Sequence, residues 1–120
     1  MSSTGQRLVH IVDAVEWEEF IATGADTWTP PSLGTVGFVH LSTPEQAAVA
    51  ANRHYRGARG LQLLVLDASI LRSGLVWEEG DPPEPGMVFP HLYAPLPVAA
   101  VLYTVAYPPG ADGRFAEPEL

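Results

Sequence analysis

Neither cysteine nor lysine occurs in the 120 residues. Without thiols there is no disulfide framework, no thiolate nucleophile and no cysteine-based metal site, and the redox compartment is left open on that count. Without lysine, the positive charge rests on six arginines against fourteen acids, for a formal net charge of -8. Such a surface repels nucleic acid and anionic membranes, so neither bulk nucleic-acid binding nor membrane attachment is expected. A polyanion would need a local arginine patch. The one cluster, Arg53, Arg56 and Arg59, falls near the end of an expected helix, where cations complement the helix dipole. No apolar run approaches the length that spans a bilayer, and the N-terminus lacks a basic region followed by an apolar stretch, so the reading is cytoplasmic.

What is present suits one compact domain with a real core, residues 1–120, 47% of them hydrophobic and 17% charged. "RLVHIVD" (7–13) is rich in strand formers. Asp13 with Glu16 three positions on gives a capping box that opens a helix ending before Gly24. "ADTWTPPSLGT" reads as a turn-rich loop and "VGFVHLS" as a strand. Thr43, Pro44 and Gln46 repeat the helix-start signal ahead of a second helix running to Gly57. "LQLLVLD" is nearly continuous in apolar residues, the pattern of a strand covered on both faces, and "VAAVLYTVAY" reads the same way; both are expected to be central. "LVWEE" is a short strand, the prolines and glycines of "GDPPEPGMV" predict an irregular loop, and residues 107–120 form a polar, proline-rich tail expected to lie on the surface or fray. The class is α+β, with two main helices and a mostly antiparallel or mixed sheet.

Chemistry concentrates in two places. In "GFVHLS", strand alternation sends Phe38, His40 and Ser42 to one face and Val39 and Leu41 to the other, which takes the core. His40 and Ser42 then face a cleft beside the start of the second helix, at Thr43 to Gln46, where free N–H groups favour an anion. The alternative is a half-buried histidine bonded to a backbone carbonyl. In "FPHLYAPLP", three prolines hold His91 and Tyr93 in place, a rigid loop of the kind that presents functional groups; the alternative is a packing segment. Trp77 with Glu78 and Glu79 supplies a third component, one of whose carboxylates faces the cleft. His10, sharing parity with Leu8 and Val12, lines the same cleft or sits in the core, and His54 is expected to be exposed at a helix end. His10, His40 and His91 have no short-range ligand spacing, so no metal is expected.

The residues Trp17, Gly24, Pro31, Leu33, Gly37, Phe38, His40, Leu41, Ser42, Thr43, Gln46, Asn52 and Tyr55, followed by "LLVLD", Trp77-Glu78 and "FPHLYAPLP", resemble the domain-of-unknown-function family 952 across nearly the whole chain. Two departures are Ala94, where the family usually has glycine, and the extended "DPPEPGMV". The resemblance implies an ADP-ribosyltransferase-like fold, a split antiparallel sheet with a nicotinamide dinucleotide cleft between its halves, similar to the second half of the RNA 2'-phosphotransferases. The phosphate-binding arginines of those enzymes are missing here: Thr35, Val36, Gly37 and Phe38 lead into His40. His10, Tyr93 and Glu78 or Glu79 are the residue types of the toxin-like transferases.

Two functions follow. The first is an enzyme acting on NAD, ADP-ribose or another nucleotide-like small molecule, with His40, His91 and Glu78 as catalytic residues and His10, Trp28, Phe38, Ser42, Thr43, Gln46, Trp77, Glu79 and Tyr93 around the ligand. The second is a non-catalytic module that recognises a small ligand or protein partner through Trp28, Trp77, Tyr93 and the histidines.

Overall fold

The computed structural model describes residues 6–84 and 86–120, the side chains of 81–84 excepted. Its strands form two three-stranded antiparallel sheets and a two-residue pair. In the first sheet β1 (Arg7–Asp13), β4 (Leu61–Asp67) and β8 (Val101–Ala106) lie in the order β1-β4-β8. In the second, β3 (Val39–His40), β6 (Met87–Leu92) and β5 (Leu75–Glu84) lie in the order β3-β6-β5. β2 (Thr27–Trp28) pairs with β7 (Leu96–Pro97). The helices are α1 (Ala14–Ala22), the short α2 (Pro31–Thr35) and α3 (Ala47–His54). This is the α+β class with antiparallel sheets that the patterning implied. Among the described residues no helix is long and apolar enough to cross a membrane.

β4 shows why its sequence is apolar without alternation. Leu64 and Leu66 pack with Leu8, Val12, Trp17, Val39, Leu41 and Leu92 on one face. Leu61, Leu63 and Val65 pack with Val9, Ile11, Ala47, Ala51, Tyr107 and Phe115 on the other. A strand with a separate core on each face has no side to give to polar residues.

Local signals set the helices. The Asp13 carboxylate accepts from the amides of Val15 and Glu16, at 2.9 and 3.0 Å, and opens α1. At the second start Thr43 and Gln46 form a full capping box around the turn Pro44–Gln46, which leads into α3.

Three expectations are corrected and a fourth is narrowed. "VAAVLYTVAY" is not central: β8 is an edge strand with Leu102 and Tyr103 exposed, because an apolar run does not reveal whether a neighbour covers its far side. "GDPPEPGMV" is not an irregular loop but the end of a β5–β6 hairpin that turns through Gly86 (φ +81°). A register shift between Glu79 and Glu84 interrupts the pairing of β5, which takes an outer position in its sheet, and Pro85 lies outside the described residues. "ADTWTPPSLGT" holds β2 and α2. The tail lies mostly exposed on the surface, as one of the two expectations had it, but it is anchored at two points. Tyr107 and Phe115 are buried with ring centroids 5.1 Å apart, and Asn52 grips the Phe115 backbone through both its amide groups, at 2.9 and 2.7 Å. The tail's two aromatics carry this burial, a signal outweighed by its prolines and charges.

Truncation at the two ends of this arrangement separates the readings. Leu64→Ala should cost about 2–5 kcal/mol and Phe115→Ala about 3–5 kcal/mol in denaturant unfolding, since both leave cavities in closed cores. A frayed tail would make Phe115→Ala silent.

Candidate functional site

β1 does two jobs. One edge pairs with β4, and the other reaches the second sheet through a single bridge, with Val9 N–H donating to the Ser42 carbonyl at 2.8 Å and Ser42 N–H returning the bond at 2.9 Å. Where β1 meets β3 and β6, a cleft of about 570 Å³ opens. All four histidines of the chain line it: His10 from β1, His40 from β3, His54 from the last turn of α3 and His91 from β6. Ser42 lies in its wall, 4% exposed.

His10 is buried beside the bridge, its Nδ1 2.8 Å from the His40 carbonyl oxygen. A carbonyl can only accept, so Nδ1 carries the proton and Nε2 keeps its lone pair. Burial pushes the His10 pKa down from 6.5 to about 4; the bond to the carbonyl offsets part of that, and the charge of His40 adds to the lowering. His10 is therefore a neutral acceptor near pH 7.

His91 and His40 face each other in the β3–β6 register, with ring centroids 5.8 Å apart. On β5, Val76 lies opposite His91, which places Glu78 on the diagonal of the same face and Trp77 and Glu79 on the other. The Glu78 carboxylate accepts from His91 Nδ1–H at 2.7 Å and from the Tyr93 hydroxyl. These bonds, that from Tyr93 foremost, hold the Glu78 carboxyl below its usual range, and the same bond raises the Tyr93 hydroxyl. With Nδ1 engaged, Nε2 is the nitrogen His91 has left for a ligand. Phe38 stacks on His91 at 3.9 Å and 15°, with His40 and Tyr93 within 4.8 and 5.3 Å, and so fixes the imidazoles from behind.

The α3 side of the cleft carries Arg53, His54, Tyr55 and Arg59, with the His54 ring 6.2 Å from His40. Asp13 and Glu16 also reach this end, but the Asp13 carboxylate is occupied by the α1 amides. Trp28, Pro30, Pro31 and Phe89 add apolar lining, with Trp28 backed by edge contacts to Trp17 and Phe20. Among the described residues the Trp28 indole N–H is a buried donor without an acceptor.

The structure thus brings together His10, Trp28, His40, Ser42 and His91 in the cleft, with Glu78, Tyr93 and Phe38 directly behind His91. It does not bring in four residues expected there. Trp77 lies in a shallow depression with Gln6, Ser69 and Arg72, and Glu79 shares its face. Thr43 and Gln46 are engaged in their capping box, Gln46 Nε2 donates to the Val88 carbonyl at 2.6 Å, and neither residue lines the cleft. Nor is His91 on a proline loop; it belongs to β6. The sequence reading missed Arg53, His54 and Arg59. Helical spacing carried a signal: Ala50, Arg53 and His54 stand three and four positions apart, on one side of α3. No three His, Cys, Asp or Glu side chains among the described residues are placed to hold a metal ion.

The family model described as "Protein of unknown function (DUF952)" matches residues 11–104. Protein CC0527 from Caulobacter crescentus, a structural genomics target, is similar in its crystal structure, with 34% identity over 92% of this chain and 93% of that one and a TM-score of 0.77. Its solution NMR structure gives a TM-score of 0.74 at the same identity, with 90% of each chain covered. No curated protein matches.

The depressed His10 pKa fixes a pH dependence. The unfolded chain takes up this proton at about 6.5 and the folded chain only at about 4, so stability is full above that window and falls as pH drops through it. The loss should total on the order of 3 kcal/mol at 1.36 kcal/mol per unit. The Glu78 and Asp67 carboxyls, held low, add their losses only towards the bottom of the window and below it. Denaturant unfolding between pH 7.5 and 4 should show the slope, and His10→Gln should flatten it between 6.5 and 5; a flat wild-type curve there would refute a neutral buried His10. Long-range ¹H–¹⁵N correlation should find the Nδ1–H tautomer at His10.

Proposed function

The chain belongs to the DUF952 family, whose activity is not established, and from that premise we propose that its cleft binds a phosphate-bearing, nucleotide-like small molecule and acts on it by histidine proton transfer. The observation that carries the reading is the convergence of all four histidines on one cleft, one of them held by a carboxylate. Perturbed and oriented titratable groups around a concave, mostly apolar space are the signature of a ligand site.

The residues present fit such a ligand. A cleft of about 570 Å³ is in the range that takes molecules of nucleotide size. Trp28, Pro30 and Pro31 offer apolar lining, and the unpaired indole N–H offers a donor to a ring or amide acceptor. Arg53 from α3 and Arg59 from the turn after it line the cleft and offer a phosphate the charge that is missing ahead of His40. His10 Nε2 and His91 Nε2 are acceptors suited to sugar hydroxyls.

NAD and ADP-ribose are the first candidates, because the ADP-ribosyltransferase-like fold that the sequence resembles carries its dinucleotide between two halves of a split antiparallel sheet. Two antiparallel sheets joined by one bridge, with a cleft at the junction, support that assignment.

Titration of NAD and ADP-ribose followed by backbone amide shifts tests the proposal. The expected changes fall on Phe38 to Ser42, Arg53 to Arg59 and Phe89 to Tyr93. Adenosine, lacking phosphate, should bind at least about tenfold more weakly if the arginines matter, a difference of 1.4 kcal/mol. Saturating dinucleotide that leaves those segments unmoved removes it as the ligand.

A further inference from the structure

The outer strand of the first sheet, β8, carries none of the devices that keep sheet edges apart, and we propose that two copies of the chain join there. The strands meet edge to edge, antiparallel across a two-fold axis, and the three strands of each copy become one continuous sheet. Leu102, Tyr103, Thr104 and Ala106 are exposed along β8. Its bulge against β4 falls at Val101 and Leu102 and leaves Tyr103 to Ala106 in regular register. The ladder also fixes where the backbone groups point. Tyr107 N–H donates to the Leu61 carbonyl, so Tyr107, Val105 and Tyr103 turn their groups towards β4, and Thr104 and Ala106 turn theirs outwards. Among the described residues no main-chain group of another element meets them there.

Sheets blunt such edges with charge, proline or a cover. The other outer strands follow that rule: the β5 sequence LVWEEGDPPE contains acids and prolines, and β1 is met on its outer edge by Ser42. β8 has neither charge nor proline. It lies within residues 92–111, which contain none of the fourteen acids and six arginines. That absence selects the partner. A basic partner would be drawn to the acidic surface elsewhere on a chain of net charge -8, whereas two copies of that chain repel unless they meet where charge is missing. A second copy supplies a strand of the same length, twist and outward groups. With the two-fold axis at Val105, Thr104 of each copy stands opposite Ala106 of the other, their outward N–H and C=O groups pair, and Val105 lies against Val105. The joined sheet ends in β1 on both sides, so assembly stops at two copies.

Size-exclusion chromatography with light scattering, and backbone amide exchange of the full chain followed across protein concentration, test this. The expected result is a dimer in which exchange of the Thr104 and Ala106 amides slows at least about tenfold between micromolar and millimolar protein, because only association gives those amides a partner. Thr104→Pro removes an outward N–H without touching the β4 ladder, and Thr104→Glu sets two added acids near each other across the axis; both should run as monomers. Denaturant unfolding and amide spectra check that each variant is folded, and Thr104→Glu decides the matter if proline disturbs the strand. A wild-type chain that stays monomeric at millimolar concentration would overturn the inference. So would a dimer in which Thr104 and Ala106 exchange as fast as in dilute solution, since its interface then lies elsewhere, or a dimer that survives in a folded variant.

Discussion

Two main-chain hydrogen bonds between Val9 and Ser42 tie one sheet to the other, and the geometry of the cleft depends on them. They bring β1 alongside the end of β3, so that the next residue along β1, His10, can donate to the carbonyl of His40. That bond is more than a fastener. It uses the proton of Nδ1, fixes the tautomer and holds the backbone of the strand that carries a second imidazole into the same space. A bridge of one residue pair between two otherwise separate sheets also explains why a cavity exists: a continuous ladder would have closed the gap with side chains.

Electrostatics then differentiates histidines that share a site. Burial against apolar β-sheet keeps His10 neutral, whereas His91 has a carboxylate on one nitrogen and a phenylalanine on its face. The chain as a whole is strongly acidic, yet three of its six arginines follow one another at the end of α3 and two of them reach the cleft. Net charge describes the far field; a ligand inside the cleft meets the local one.

Family membership, the α+β class, the helix starts and the doubly covered β4 were legible in the sequence because each depends on neighbours in the chain: a Thr43–Gln46 box or an apolar run is complete in itself. What depends on pairing was not. Whether Glu78 or Glu79 faces His91 is settled by register with β6, which alternation within "LVWEE" does not contain. The exposure of β8 and the burial of Phe115 depend on which segment ends up beside them. His54 was correctly expected at an exposed helix end, but the direction in which α3 turns that end is a tertiary fact, and it points the residue at His40.

Asn52, which grips the backbone of Phe115, lies one residue before Arg53 and two before His54. The cleft wall is therefore propped from behind by a segment translated after every strand of both sheets. Phe115 fixes the residue that precedes Arg53 without belonging to any strand, so loosening it would free this wall of the cleft while leaving the pairing of both sheets intact.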